Sequence, residues 1–340
     1  MPGNRTTPAA VLPKPGVLPK CCARGQKQHS ASRRGKPNTE SVPNLTTAPP
    51  EPGSAPQSLV ARHPLVSYFL IAFVFSWLMF LPGLLMYYGV LSLSPQIVRS
   101  LAIAGLLGPT LSGLIMTAVT EGRPGIGQLL RRTVRWRVGL RWYLFALVGL
   151  PIVMVLGTII RLGALESLNI STQPFTLAYL NAFLSMALIG GPLFEEPGWS
   201  GFAQPRLQRL YGPAAGGLLL GSLWALWHLP GFLVPSQDLS DIPPRGTVLD
   251  FVVFALALVG LRLVIIWVVN NTRNSVLMAI LVHASWNTFY AAALVQLFRS
   301  PAVLGSYLNL MMAACALAVV LVAATRGRIG YRPEATTVFD

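Results

Sequence analysis

The chain has 340 residues, of which 53% are hydrophobic and only 11% charged, and it carries a net charge of +15. A soluble domain has about 25% charged residues, so this composition, with a mean hydropathy of +0.57, excludes an ordinary soluble fold and describes an integral membrane protein. Three cysteines, Cys21, Cys22 and Cys315, cannot build a disulfide framework or a Cys-x-x-Cys metal site, and the basic residues lie in a tail and at the ends of apolar runs, as topology signals and not as a nucleic-acid surface.

Residues 1–62 hold all four lysines, five arginines and eleven prolines against Glu40 and Glu51. Such a stretch cannot offset its ordering entropy and is expected to be a disordered, basic, Pro-rich cytosolic tail, without the apolar core of a secretory signal. Residues 63–325 read as one membrane-embedded domain of eight apolar segments: Leu65 to Val90, Ile97 to Thr120, Trp142 to Leu162, Leu177 to about Arg209, Pro213 to Val234, Leu249 to Asn270, Ser275 to Phe298 and Val303 to Thr325. Each is near the ~20 residues that cross a bilayer as a helix. Helices satisfy their backbones internally in lipid, and the alternation of a barrel is absent, so the predicted fold is all-α and polytopic with about eight transmembrane helices. Residues 326–340 form a short cytosolic tail.

Six arginines between Glu121 and Arg141 place that loop in the cytoplasm by the positive-inside rule. Alternation then puts both termini inside, with Arg206, Arg209, Arg273 and Arg326 on the same side and Asp238 and Asp241 outside. Terse loops of this kind fit the plasma membrane of a bacterium.

Ionisable residues deep in a span are expensive and usually functional. The apolar segments hold one acidic pair, Glu195-Glu196, and two histidines, His228 and His283, together with Arg262, a candidate partner for Glu196. If Tyr211-Gly212-Pro213 turns a helical hairpin, Glu195 lies 17 residues before Gly212 and His228 lies 16 after it, so both sit roughly 24–26 Å from the turn at 1.5 Å per residue. His283 and Asn287 reach a comparable depth from Arg273. They share a helix face at i and i+4, as do Trp224 and His228. Pro197 is expected to bend the helix at the carboxylates, and Gly198 and Gly201 permit close approach of a neighbouring helix. Trp199, Trp224, Trp227 and Trp286 read as packing or cavity walls.

A carboxylate and an imidazole can take a proton from water, while a second imidazole and an amide can donate to the oxyanion of a tetrahedral intermediate. That is the equipment of an amide hydrolase. Two histidines and a carboxylate, here Glu195, His228 and His283, also form a ligand set for zinc, although no His-Glu-x-x-His helix is present. A transporter using the same groups as a proton relay would show paired broken helices in a repeated half, and none is evident.

These residues resemble the CPBP intramembrane protease family, which includes type II CAAX prenyl endopeptidases and bacteriocin-processing or immunity proteins. The Glu-Glu-x-x-x-Arg motif is similar to Glu195 to Ser200, continued to Phe202, with Ser200 in place of the arginine. Phe-x-x-x-His is matched by Trp224 to His228, and His-x-x-x-Asn by His283 to Asn287. The resemblance implies an intramembrane endopeptidase acting on a peptide or protein substrate at the bilayer. In it Glu195 and His228 activate water, His283 and Asn287 form the oxyanion site, and Glu196 supports them with Ser200, Trp224 and Arg262; zinc is compatible but not required. Two other readings stand beside it: a weak or inactive immunity or scaffold protein of the same fold, because Ser200 replaces the arginine, and a rhomboid-like serine protease using Ser200 within Gly198-Trp199-Ser200-Gly201.

Overall fold

The computed structural model describes residues 59–160, 175–234, 246–293, 297 and 307–333. Of the expected N-terminal tail, residues 1–58 lie outside the described residues, and Leu59–Arg62 form a single helical turn. The loops with Asp238 and Asp241, residues 161–174 and residues 334–340 also lie outside.

Among the described residues there is no strand, and the helices follow the eight apolar segments. Five are long and apolar enough to cross a membrane: α1 Pro64–Tyr87, α2 Pro95–Thr133, α3 Leu140–Ile159, α4 Leu177–Tyr211 and, after one shorter helix, α6 Val248–Asn271. The shorter apolar helices are α5 Pro213–Trp227, α7 Val276–Ala291 and α8 Met311–Ala324. The chain is therefore an all-α polytopic membrane protein.

α6 is the most enclosed of the long helices. It starts at a reciprocal cap in which the Thr247 hydroxyl accepts from the Asp250 amide and the Asp250 carboxylate accepts from the Thr247 amide. It is flanked closely by α5 and α8, because a Cβ on Gly221 would lie 2.8 Å from the Val259 backbone, and one on Gly260 would lie 2.8 Å from that of Ala314. α1 stands at the rim, burying only Tyr68, Ala72 and Ser76, one residue per turn. That narrow stripe meets α2, where Ser76 donates to the Gly105 carbonyl and Ser112 to the Tyr68 carbonyl, each at 2.7 Å. Small residues and hydroxyls hold membrane helices together in this way, since lipid supplies no hydrophobic drive between them.

Two features shape the side of the bundle rich in arginine. α2 breaks at Gly122 (φ 65°), beyond which residues up to Thr133 form a separate helical stretch carrying Arg131 and Arg132. The α6–α7 connection is a tight turn with Arg273 (φ 54°) and Asn274 (φ 56°) both left-handed, closed by the Ser275 amide on the Thr272 carbonyl. Two successive positive φ values define a type I′ turn, which asparagine tolerates and arginine does not favour. Arginines hold it in place. Arg132 donates through Nε to the Asn274 carbonyl at 3.0 Å and Arg135 to the Arg273 carbonyl at 2.7 Å, while Arg273 reaches the Arg137 carbonyl. The beginning of the expected C-terminal tail also folds back, with Ile329 fully buried and its carbonyl accepting from Asn270.

Candidate active site

The hairpin expected at Gly212 is present. Gly212 (φ 78°) joins α4 to α5, and Gly216 lies against the Leu207 backbone, leaving no space for a side chain. Glu195 on α4 and His228 at the end of α5 thereby reach one cavity of about 320 Å³, whose lining also includes Trp224, His283, Trp286 and Asn287. All four residues expected to carry the chemistry are brought together. The wall of the cavity is otherwise apolar, with Leu106, Phe232, Phe254 and Leu261.

Pro197 does more than bend α4. From Pro197 to Ala203 the helix widens into π-helical turns, a form that accommodates the missing proline N–H and is common at functional sites. The widened stretch is clamped by α2: a Cβ on Gly198 would sit 2.1 Å from the Pro109 carbonyl oxygen, and one on Gly201 2.4 Å from Leu129. Arg132 donates from its two terminal nitrogens to the Gly201 and Ser200 carbonyls, at 2.9 and 3.0 Å.

The two glutamates have different surroundings. Glu196 is fully buried, and both its oxygens are taken. Arg262 meets it with two nitrogens, Nη1 on Oε2 at 3.0 Å and Nη2 on Oε1 at 3.1 Å; Ser200 donates to Oε2 at 2.5 Å; His283 Nδ1 lies 3.0 Å from Oε1. Such a two-pronged guanidinium contact fixes direction as well as charge. Arg262 Nη1 also donates to Ser200 Oγ at 3.2 Å, and its guanidinium lies over the Trp224 ring, 4.1 Å from the centroid. The arginine absent from position 200 is thus supplied from α6, and the small serine leaves the room that it occupies.

Glu195, by contrast, lines the cavity. Its Oε2 accepts from the indole nitrogens of Trp224 at 2.9 Å and Trp199 at 3.3 Å. Trp224, expected as a supporting residue, and Trp199, expected only to pack, are therefore both hydrogen-bond donors to Glu195; the signal available for Trp199 was its i+4 spacing from Glu195. Gly191 (φ 111°) leaves space for the other oxygen, since a Cβ there would lie 2.5 Å from Oε1. His228 Nδ1 is 2.9 Å from the Trp224 carbonyl. A carbonyl only accepts, so Nδ1 carries the proton and Nε2 of the neutral ring is a base. The end of α5 is tied to α1 by Trp77, which donates to the Trp227 carbonyl at 3.0 Å.

Among the described residues no three His, Cys, Asp or Glu side chains come together as a metal-holding group. Glu195, His228 and His283 all line the cavity. Ser200 Oγ is buried against Glu196 and Arg262 and has no histidine partner, which is not the arrangement of a serine nucleophile.

Fold and site together define a polytopic membrane protein with a carboxylate and two imidazoles facing one cavity in the helical bundle. Residues 177–289 match the type II CAAX prenyl endopeptidase Rce1-like family. CAAX prenyl protease 2 of Methanococcus maripaludis is 23% identical over 221 residues, covering 64% of this chain and 80% of the relative. The matched stretch contains all three motifs, so the similarity to CAAX-type proteases falls on the residues that line the cavity.

Proposed function

We propose that this protein hydrolyses a peptide bond with a water activated by Glu195 and His228, the oxyanion being met by His283 and Asn287. The observation that carries the division of roles is the contrast between the glutamates: Glu196 is saturated by Arg262, Ser200 and His283, whereas Glu195 faces the cavity. Water attacks the peptide carbonyl carbon as its proton passes to the Glu195 carboxylate or to His228 Nε2. When the carbon–nitrogen bond breaks, that proton goes to the departing amine, so one water is consumed and an acid and an amine are released. Glu196 accepts from His283 Nδ1 and holds the ring in orientation for the oxyanion, as a buried carboxylate does for a catalytic histidine. Arg262, Ser200 and Trp224 are positioning residues. The contact from Arg262 supports an active enzyme over the inactive-scaffold reading, because Glu196 keeps a charged partner despite Ser200.

No step needs a metal ion. The substrate is a peptide or protein presented at the bilayer, and both termini and the arginine-rich end of the bundle face the cytoplasm. The relative's name concerns prenylated substrates of that protein, so prenylated and unprenylated peptides both belong in the test. Purified wild type, Glu195→Gln, Glu196→Gln and Ser200→Ala are compared on quenched fluorescent peptides of both kinds, with and without a zinc chelator. Cleavage lost in Glu195→Gln, kept in Ser200→Ala and unmoved by the chelator is the expected outcome. Loss on chelation moves the chemistry to a metal, and loss of the chemical step in Ser200→Ala with Glu195→Gln active moves it to a serine enzyme.

A further inference from the structure

A second cavity, of about 270 Å³, shares no lining residue with the first and is polar where the first is apolar. Arg132, Arg206 and Arg209 line it together with Thr117, Gln128 and Asn274. It sits beside the Gly122 break of α2, on the side of the bundle rich in arginine. A single water needs only about 10–15 Å³, so the space suits a polyatomic ion or part of a head group.

Three guanidinium groups here face one carboxylate, Glu121, which is bound to Arg206. Arg206 is further fixed by the Phe202 carbonyl and lies over the Phe202 ring. Arg132 spends one N–H from each of its three nitrogens on carbonyls, and carbonyls do not neutralise it. Arg209 is exposed and, among the described residues, has neither a hydrogen bond nor an ion pair. The lining therefore carries an excess of positive charge, with Arg209 on its exposed side and Arg132 deeper in. Nearby, partial burial and, after it, Arg273 and Arg131 push the guanidinium of Arg135 below its ordinary range.

We propose that this cavity binds a phosphate group, with Arg132 and Arg209 as the charged donors and Thr117 and Gln128 as neutral ones. Guanidinium forks match phosphate oxygens, and basic pockets at the ends of membrane helices bind anionic head groups. Two sources offer this chemistry, an anionic phospholipid in the plane of the membrane and a free phosphate from the aqueous side. Either sits directly on Arg132, whose other contacts are the carbonyls of Ser200 and Gly201 on the widened stretch of α4 and of Asn274 on the turn leading to His283.

The test reads binding and is separate from peptide hydrolysis. Full-length protein in phosphatidylcholine nanodiscs is titrated with inorganic phosphate against chloride at constant ionic strength, and in a parallel arm phosphatidylglycerol replaces part of the lipid. Tryptophan fluorescence follows heat stability, and hydrogen exchange follows residues 117–132 and 201–209. Stabilisation with slowed exchange in the lipid arm identifies a head group, and in the phosphate arm a soluble anion; both support the site. Arg209→Gln, on an exposed side chain, and Gln128→Glu, which adds a negative charge to the wall, are each expected to weaken the effect by about tenfold or more, the loss of one charge-assisted hydrogen bond. No response in either arm, or responses equal in wild type and both variants, overturns the proposal and leaves these arginines as topology signals alone.

Discussion

Exchanging the residues at positions 200 and 262 tests whether the charge on Glu196 is what keeps the site in order. Arg262→Met keeps much of the side-chain volume but strips Glu196 of two of its four contacts, leaving the carboxylate buried with only Ser200 and His283. Removing one partner of a buried pair costs about 3–5 kcal/mol. That penalty falls on the fold and should appear as a lowered unfolding temperature; per folded molecule, losing the charge-assisted hydrogen bonds that orient Glu196 is expected to cost at least about tenfold in cleavage. Ser200→Arg alone should also lose activity, because a second guanidinium would enter a space where Arg262 already lies 3.2 Å from the serine oxygen. The double variant returns one guanidinium to Glu196 from four residues along the same helix. It should recover activity over either single variant, with a coupling of roughly 1–3 kcal/mol. The assay is cleavage per folded molecule, normalised to the monodisperse fraction on size exclusion. Wild-type cleavage by Arg262→Met, or a double variant no better than its worse parent, would refute the reasoning.

Trp224→Phe keeps a ring face for Arg262 and removes the indole N–H from Glu195; a hydrogen bond to a charged group is worth about 1.5–3 kcal/mol, so kcat should fall by about 10- to 100-fold with KM little changed in steady-state cleavage. Gly198→Ala sets a Cβ 2.1 Å from a backbone carbonyl oxygen that cannot swing aside, and overpacking of this kind costs about 1–3 kcal/mol. A lowered unfolding temperature by tryptophan fluorescence is expected there, whereas Gly127→Ala, with nothing nearer than 3.8 Å, should be neutral or slightly stabilising. Arg132→Gln removes most of the bonding to three carbonyls on two elements and should speed amide exchange at residues 270–280 and 200–205, with a stability loss above about 2 kcal/mol by denaturation.

Much of this was legible in the chain. Apolar runs of bilayer length mark the spans, and the count from Gly212 brings Glu195 and His228 to the same depth because each side of a hairpin rises at a near-constant rate. His283 and Asn287 follow from their i, i+4 spacing. Arg262 was also visible as a charge inside an otherwise apolar helix, which must find a partner; its two-pronged grip on Glu196, 66 positions away, is a fact of packing. The widened turns after Pro197 were not legible, since a proline announces a missing hydrogen bond and not how the helix absorbs it. Arg132 looked like one more topology signal in a basic loop. Its role depends on which carbonyls the α2 break brings within reach, and no local pattern encodes that.

The guanidinium beside Glu196 comes from position 262 and not from position 200, which bears on how the motif is read. A comparison that scores the fourth place after the acidic pair would set this chain aside as a damaged copy, although the charge is intact and merely belongs to another helix. What the site contains is a guanidinium at one point in space, whichever position in the string supplies it. Positions 200 and 262 are coupled by volume: the room beside Glu196 holds one guanidinium, and the serine is what leaves it open to the one that arrives from α6.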